Sequence, residues 1–290
     1  MNRETTQTRF VPAMTSQEGA GVTVNRTIGT PALRNYDPFV MLDYFGSDVP
    51  DEYIAGFPSH PHRGFITFTY MLDGHIEHKD SMGNTGNLGP GGAQWMKAAS
   101  GVIHSEMPKQ ENGLMRGFQL WINLPAVNKM DTPEYQEYDA SDFPVVETAD
   151  YQAKVIIGKL TGTNSPIIDD ITNVSYFDVQ LKSGKQFSHA HPVENRSFFY
   201  LFEGNGTFKG ENVTTHTFVA LASDDKQPEF VAGKQGARFI VVSGKPINEP
   251  IVQYGPFVMN SREEIDQAMR DFQSNNFVRD RAWVKSKKIS

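Results

Sequence analysis

The sequence predicts an all-β protein made of one β-barrel unit used twice, with a few short helices, one of them near the C-terminus. Three observations carry that expectation. The 25 glycines and 17 prolines are spread along the chain and separate short apolar runs, as turns separate strands. The two halves also echo each other in order. Tyr70-Met71-Leu72-Asp73-Gly74 is matched by Tyr200-Leu201-Phe202-Glu203-Gly204, and Phe118-Gln119-Leu120-Trp121-Ile122 with Pro125 by Phe239-Ile240-Val241-Val242-Ser243 with Pro246. Even His60-x-His62 has a counterpart in His189-x-His191. Finally, 290 residues lie near the size at which a single core stops growing, so one unit used twice is a natural solution.

Taken in order, Phe65–Leu72 is the clearest strand, closed by Gly74. Thr67 and Thr69 share one face, while Ile66, Phe68, Tyr70 and Leu72 carry the even parity of His60 and His62. If the strand runs on without a bulge, that even face lines an interior together with the histidines. Further strands are expected at Gln94–Ala98, Val102–Met107, Phe118–Asn123, Val155–Leu160, Tyr176–Leu181, Ser197–Phe202, Thr217–Leu221 and Phe239–Val242. The polar stretch Val127–Asp150, holding Pro133 and Pro144, reads as the connection between barrels. Ser261-Arg262-Glu263-Glu264 fits a capping box, and Ile265, Ala268, Met269 and Phe272 follow at helical spacing. The expected division is a metal-carrying barrel at 1–130, a metal-free barrel at 131–260, and a helix and tail at 261–290 that packs back through Phe277 and Trp283.

Composition removes several classes of function. With 38% hydrophobic, 21% charged and 11% aromatic residues the chain can bury a substantial core. Its net charge of −7 opposes the long-range attraction that drives nucleic-acid binding, and Lys285, Lys287 and Lys288 read as a solvated tail. With no cysteine, disulfides, thiolate nucleophiles, Cys-type zinc sites and Fe–S clusters are excluded. The N-terminus, Met1-Asn2-Arg3-Glu4-Thr5-Thr6, lacks the apolar region of a signal peptide, and no apolar run approaches the ~20 residues of a membrane span. A soluble, cytoplasmic protein is expected, in which Asn173-Val174-Ser175 carries no glycosylation meaning.

Chemistry concentrates between His60 and Glu106. His60-Pro61-His62 and His104-Ser105-Glu106 each place two donors at i and i+2, on one face of a strand. Should the two strands lie together, three imidazoles and one carboxylate converge. That mixed set suits Fe, Mn, Co, Ni, Cu or Zn and argues against Ca or Mg. Four protein ligands would leave a six-coordinate ion open to substrate. Phe65, Ile66, Phe68, Met96 and Met107 are candidates for an apolar chamber around it, or for ordinary barrel core.

These phrases resemble a known family. His60-Pro61-His62-Arg63-Gly64-Phe65, then Leu88-Gly89-Pro90-Gly91-Gly92-Ala93-Gln94-Trp95-Met96, then Gly101-Val102-Ile103-His104-Ser105-Glu106-Met107-Pro108 are similar to signatures of the pirin family, within the cupin superfamily. Tyr254-Gly255-Pro256-Phe257-Val258-Met259-Asn260 resembles its C-terminal signature. The resemblance implies a bicupin of two jelly-roll-type barrels with one non-haem metal, usually iron, in the first, with His60, His62, His104 and Glu106 on the ligand positions. For bacterial members it implies dioxygenase activity on flavonols such as quercetin, with Glu106 as the candidate for taking the flavonol's hydroxyl proton. For eukaryotic members it implies a nuclear transcription-cofactor role. One departure stands out: many pirins carry an acid where this chain has Ile66, a position other cupins use as a ligand.

Two readings result. One is a quercetinase-type oxidoreductase whose partners are a flavonol and O2. The other is a metal- or redox-dependent regulator that binds a protein partner without turnover. A monomer is the default expectation. Other candidates are weaker. His189-x-His191 has no His-x-Glu after it, and His75 and His78 read as solvated loop residues. The glycine phrases Gly86–Gly92 and Gly204–Gly210 lack the Lys-Ser/Thr of a P-loop and read as turns. Ser105 falls on the face opposite the ligands, which disfavours it as a nucleophile.

Overall fold

The computed structural model describes residues 7–279 apart from Glu111, Ser223 and Lys226. Trp283, the lysines at 285, 287 and 288, and the first six residues therefore lie outside the described residues. Two compact units are present, each mostly antiparallel β.

The unit holding His60 comprises Thr15–Arg26, Phe39–Ala140 and Ile247–Ser290. A seven-stranded sheet runs Glu134–Tyr138, Ala93–Lys97, Phe65–Asp73, Met115–Asn123, Phe39–Ser47, Val22–Arg26, Met14–Glu18. A four-stranded sheet runs Phe57–His62, Val102–Pro108, Ile76–Asp80, Thr85–Leu88. One core cluster joins Val22, Val24, Phe45, Met71 and Met115 of the large sheet to Ile76 and Leu88 of the small one. The apolar side chains thus sit between two sheets, which fixes the inward face of each strand. From Val102 to Glu106 burial alternates, with Val102, His104 and Glu106 buried and the residues between them half-exposed.

The helix Arg262–Gln273 starts as the capping box requires. Ser261 Oγ accepts from the Glu264 amide at 3.2 Å, and Glu264 Oε2 accepts from the Ser261 amide at 3.0 Å. Ile265 and Ala268 are buried with Phe257, Met259, Phe277 and Val278, and Met269 packs beside them. Phe272, at the end of the expected stripe, stays 43% exposed.

The second unit comprises Met1–Met14, Thr27–Pro38 and Ser141–Pro246. Its nine-stranded sheet is built on the long strands Arg196–Phe208 and Glu229–Gly244, which pair with register shifts at Leu201/Glu203 and Gly204/Gly206. Such irregularities bend a long ribbon around its own core. That core is rich in Phe, with Phe230 and Phe239 at 4.8 Å between ring centroids and Phe199 and Phe208 at 4.9 Å. The sequence echo has a structural meaning: Tyr70 pairs with Phe118 in one unit and Tyr200 with Ile240 in the other. The glycines ending the two phrases, Gly74 and Gly204, both adopt left-handed φ, +82° and +75°.

Three expectations differ from what is observed. Neither unit is continuous in sequence, in contrast to limits at 1–130 and 131–260. Arg9–Pro12 pairs with Thr217–Ala220 in the second unit, and Ile247 onward belongs with the first. The linking stretch is not bare connection either. Glu134–Tyr138 pairs with Ala93–Lys97, and Val145–Glu147 pairs with Tyr151–Ile157. Backbone N–H and C=O groups that find a sheet edge pair with it, and Pro133 and Pro144 stand just before the strands where a missing N–H is harmless. Lastly, the parity of His60 and His62 does not carry into Phe65–Asp73. Gly64 turns the chain at φ +91°, where a Cβ would come within 2.0 Å of the Val258 carbonyl oxygen, and the chain passes from the small sheet to the large one. Phe65, Thr67, Thr69 and Met71 therefore face inward, and Ile66, Phe68 and Tyr70 face the other way.

Candidate metal centre

His60 and His62 lie on Phe57–His62, and His104 and Glu106 on the neighbouring Val102–Pro108 strand. The antiparallel register sets His104 opposite His60 and Val102 opposite His62, with a shift between His104 and Glu106. Cross-strand pairing of this kind brings side chains on one face within contact. The ring centroids are 4.6 Å apart for His60–His62, 4.4 Å for His60–His104 and 4.9 Å for His62–His104. Each ring offers a nitrogen within 4.8 Å of the other two, and His60 Nε2 and His62 Nε2 are 3.0 Å apart. Among the described residues this is the one such group of three.

The fourth predicted donor lies on the same buried face but outside that close group. Glu106 Oε1 accepts from Thr69 Oγ1 at 2.9 Å and Oε2 from Gln119 Nε2 at 2.9 Å. Gln119 Oε1 in turn accepts from Trp121 Nε1 at 3.0 Å. The large sheet thus grips the carboxylate from the other side.

Electrostatics favour bare nitrogens. Burial, then the neighbouring His60, holds His62 well below the ordinary histidine range. Burial, then His62, His60 and His78, does the same to His104. Both rings are neutral at pH 7, the form that binds a metal. His60 Nδ1 lies 2.8 Å from the Pro58 carbonyl oxygen, an acceptor only, so Nδ1 carries a proton and Nε2 points toward the other rings. His104 Nε2 is buried without a hydrogen-bond partner. A wholly buried ring nitrogen with no protein partner, next to the neutral His62, fits a divalent transition metal.

The apolar wall differs in part from expectation. Phe65 and Trp121 each stand 5.0 Å from the His62 ring and 4.3 Å from each other, and Met96 shares their face, paired with Thr67. Ile66 and Phe68 lie on the opposite face of their strand, and Met107 on the face of Ser105, away from His104 and Glu106. Position 66 is therefore turned away from the histidines, whatever residue occupies it. Trp121, Thr69 and Gln119 were not singled out from sequence. Their signal was Thr67-x-Thr69 and Gln119-x-Trp121, polar atoms at i, i+2 in otherwise apolar strands.

His78 is a further correction. It lies on the strand Ile76–Asp80 and is fully buried rather than solvated, whereas His75 is exposed. His78 Nε2 is 3.1 Å from Asp80 Oδ2, and its Nδ1 is 2.7 Å from Gln94 Nε2 and 3.4 Å from His104 Nδ1. Burial works to raise the Asp80 carboxyl, but hydrogen bonds from His78 and Asn84 outweigh it and hold the group below its usual range. In the second unit His189 and His191 keep their rings 5.1 Å apart, and burial, then His189, lowers His191 to about 4. They belong to no group of three donors among the described residues.

Comparison with known proteins agrees with the order of these phrases. The family model described as Pirin matches residues 21–122, and the one described as Pirin C-terminal cupin domain matches residues 176–278. The chain belongs to the pirin family. Its two units are cupin domains, and the whole is a bicupin. Over 263 residues it is 48% identical to a Pseudomonas aeruginosa protein named "Putative quercetin 2,3-dioxygenase", covering 89% of this chain and 92% of that one. It is 38% identical over 274 residues to the human protein named Pirin, covering 92% of each. A crystal structure titled quercetin 2,3-dioxygenase from Acinetobacter baumannii superposes with a TM-score of 0.84 at 30% identity, covering 93% of this chain and 96% of that one. Among the described residues, no helix of this pirin family member is long and apolar enough to cross a membrane.

Proposed function

We propose that this pirin family member holds one divalent transition metal through His60, His62, His104 and Glu106, and opens flavonols such as quercetin oxidatively with O2. The observation that supports it is the convergence of three imidazoles, two of them deeply buried and neutral, beside a carboxylate held by Thr69 and Gln119. The names of similar proteins point the same way. Iron is the ion the family resemblance favours.

When bound, the ion would supply Lewis acidity toward the 3-hydroxyl and 4-carbonyl of a flavonol and the one-electron chemistry that O2 requires. The chain's own residues do the rest. Glu106 is the base: a carboxylate oxygen takes the proton of the 3-hydroxyl, while Thr69 Oγ1 and Gln119 Nε2 fix the direction from which it does so. Phe65, Trp121 and Met96 give a flat aromatic ligand an apolar surface and exclude water from its reacting ring. The half-exposed His60 marks the side open to solvent, by which a substrate enters.

The test is direct. Protein loaded anaerobically with Fe(II), Mn(II), Co(II), Ni(II) or Cu(II) is given quercetin and air, and both are followed. Joint loss of quercetin and O2 above the rate of free metal is the expected result. No turnover by any fully occupied form would refute the dioxygenase reading. If a protein partner is then captured by only one metal state, the regulatory reading replaces it.

A further inference from the structure

The group beside the metal centre has no role in the chemistry above, yet its His78, Asp80 and Gln94 side chains are buried. It consists of His78, Asp80 and Gln94, with the Tyr135 ring stacked on His78 at 4.7 Å and 23°. Its hydrogen bonds run in one direction. Asp80 is anchored by its own turn: Oδ1 accepts from the Met82 and Asn84 amides at 2.9 and 3.0 Å, and Oδ2 from Asn84 Nδ2 at 2.8 Å. The remaining acceptor capacity of Oδ2 faces His78 Nε2 at 3.1 Å, so that nitrogen carries a proton. Nδ1 faces the amide nitrogen of Gln94, which can only donate, so Nδ1 is the acceptor. The Gln94 amide donates to it at 2.7 Å. The other nitrogen facing it is His104 Nδ1, at a longer 3.4 Å. Two bare nitrogens would repel across that distance, which is relieved when His104 Nδ1 bears the proton. His104 Nε2 is then left bare, on the atom that has no partner in the protein.

We propose that His78, itself oriented by Asp80, is a positioning residue that holds His104 in its Nδ1–H tautomer and so keeps Nε2 as the lone-pair donor of the metal centre. This rests on the reading of His104 as a ligand. It extends to the second histidine what the Pro58 carbonyl does for His60. The use of a carboxylate to set a ligand's tautomer is a general device of metal sites, here passed through an intervening imidazole.

The deciding measurement needs no variant. Long-range 1H–15N spectra of the full-length, metal-free protein, labelled at histidine, report which ring nitrogen of His104 is protonated. A proton on Nδ1 and a bare Nε2 are expected; a proton on Nε2, in whole or in part, overturns the proposal. Asp80→Asn reverses the direction, because its amide nitrogen now faces His78 Nε2 as a donor. The His104 proton should move to Nε2, Co(II) and Zn(II) affinity should fall roughly 10- to 100-fold, and the visible spectrum of the bound Co(II) should change. An Asp80→Asn protein with the wild-type tautomer and wild-type affinity also overturns it. His75→Ala, at an exposed neighbour, should change none of these. The two readings fail separately. Tight Co(II) binding without quercetin turnover sinks the dioxygenase and leaves the tautomer assignment, while a His104 Nε2 proton does the reverse.

Discussion

Replacing Arg63 with Met should release the C-terminal helix from the segment that follows the His60–His62 strand. The Arg63 side chain is 2% exposed and bonded at every edge. Nε donates to the Ser100 carbonyl at 2.7 Å, one terminal nitrogen to Asp271 Oδ2 at 2.7 Å, and the other to the Phe277 carbonyl at 3.2 Å. The guanidinium also lies 4.4 Å from the centre of the Phe277 ring. Burial lowers the Arg63 pKa while Asp271 works to raise it, so the cation is kept in place by its partners. A hydrogen bond to a charged group contributes about 1.5–3 kcal/mol, but the three share one side chain and are not independent. Losing one member of a buried pair costs about 3–5 kcal/mol, and the largely buried Asp271 makes that range apply here. Arg63→Met should therefore lower the unfolding free energy of its unit, obtained from urea titration, by that amount. It should also make the bond after Arg270, inside the helix, cleavable by trypsin under native conditions. Arg63→Lys should recover less than half, since one ammonium cannot reach three diverging acceptors. A double-mutant cycle with Asp271→Asn isolates the ion pair. A loss below about 1 kcal/mol, with protease resistance unchanged, would show that the clamp is not what holds the helix.

Other expectations follow from the same geometry. His60→Ala and Glu106→Ala should each abolish stoichiometric metal by elemental analysis while leaving the circular dichroism unchanged; full occupancy in either would remove that residue from the ligand set. Metal-free protein should lose stability as pH falls. His62 and His104 have folded pKa values well below 6.5, so the unfolded chain takes up their protons first. Their contribution is complete above about pH 6.5 and declines below it by up to ~1.4 kcal/mol per pH unit for each ring, read from urea midpoints. His104→Asn should roughly halve that slope. Ser261→Ala, which removes the acceptor of the Glu264 amide, should cost about 1 kcal/mol, and Ser261→Asp should restore most of it.

Local rules made much of this protein legible in its sequence. Alternation along a strand put His60 with His62 and His104 with Glu106, and the structure keeps each pair on adjacent, antiparallel strands. The spacing of Ser261, Glu264, Ile265 and Ala268 specified a helix with its cap and buried face, because these contacts span no more than two turns. What the sequence could not decide was whatever depends on which strand lies next to which. One left-handed glycine at Gly64 shifted Phe65–Asp73 to another sheet and inverted its faces, moving Ile66 and Phe68 away from the histidines and Thr69 toward them. Thr69, Gln119 and Trp121 reach Glu106 through partners roughly a dozen to several dozen residues away, and His78 meets His104 across a strand pair. Strand partners are chosen by the whole sheet's hydrogen bonding and by the burial of one face, so a contact between strands becomes readable only once the sheets are assembled.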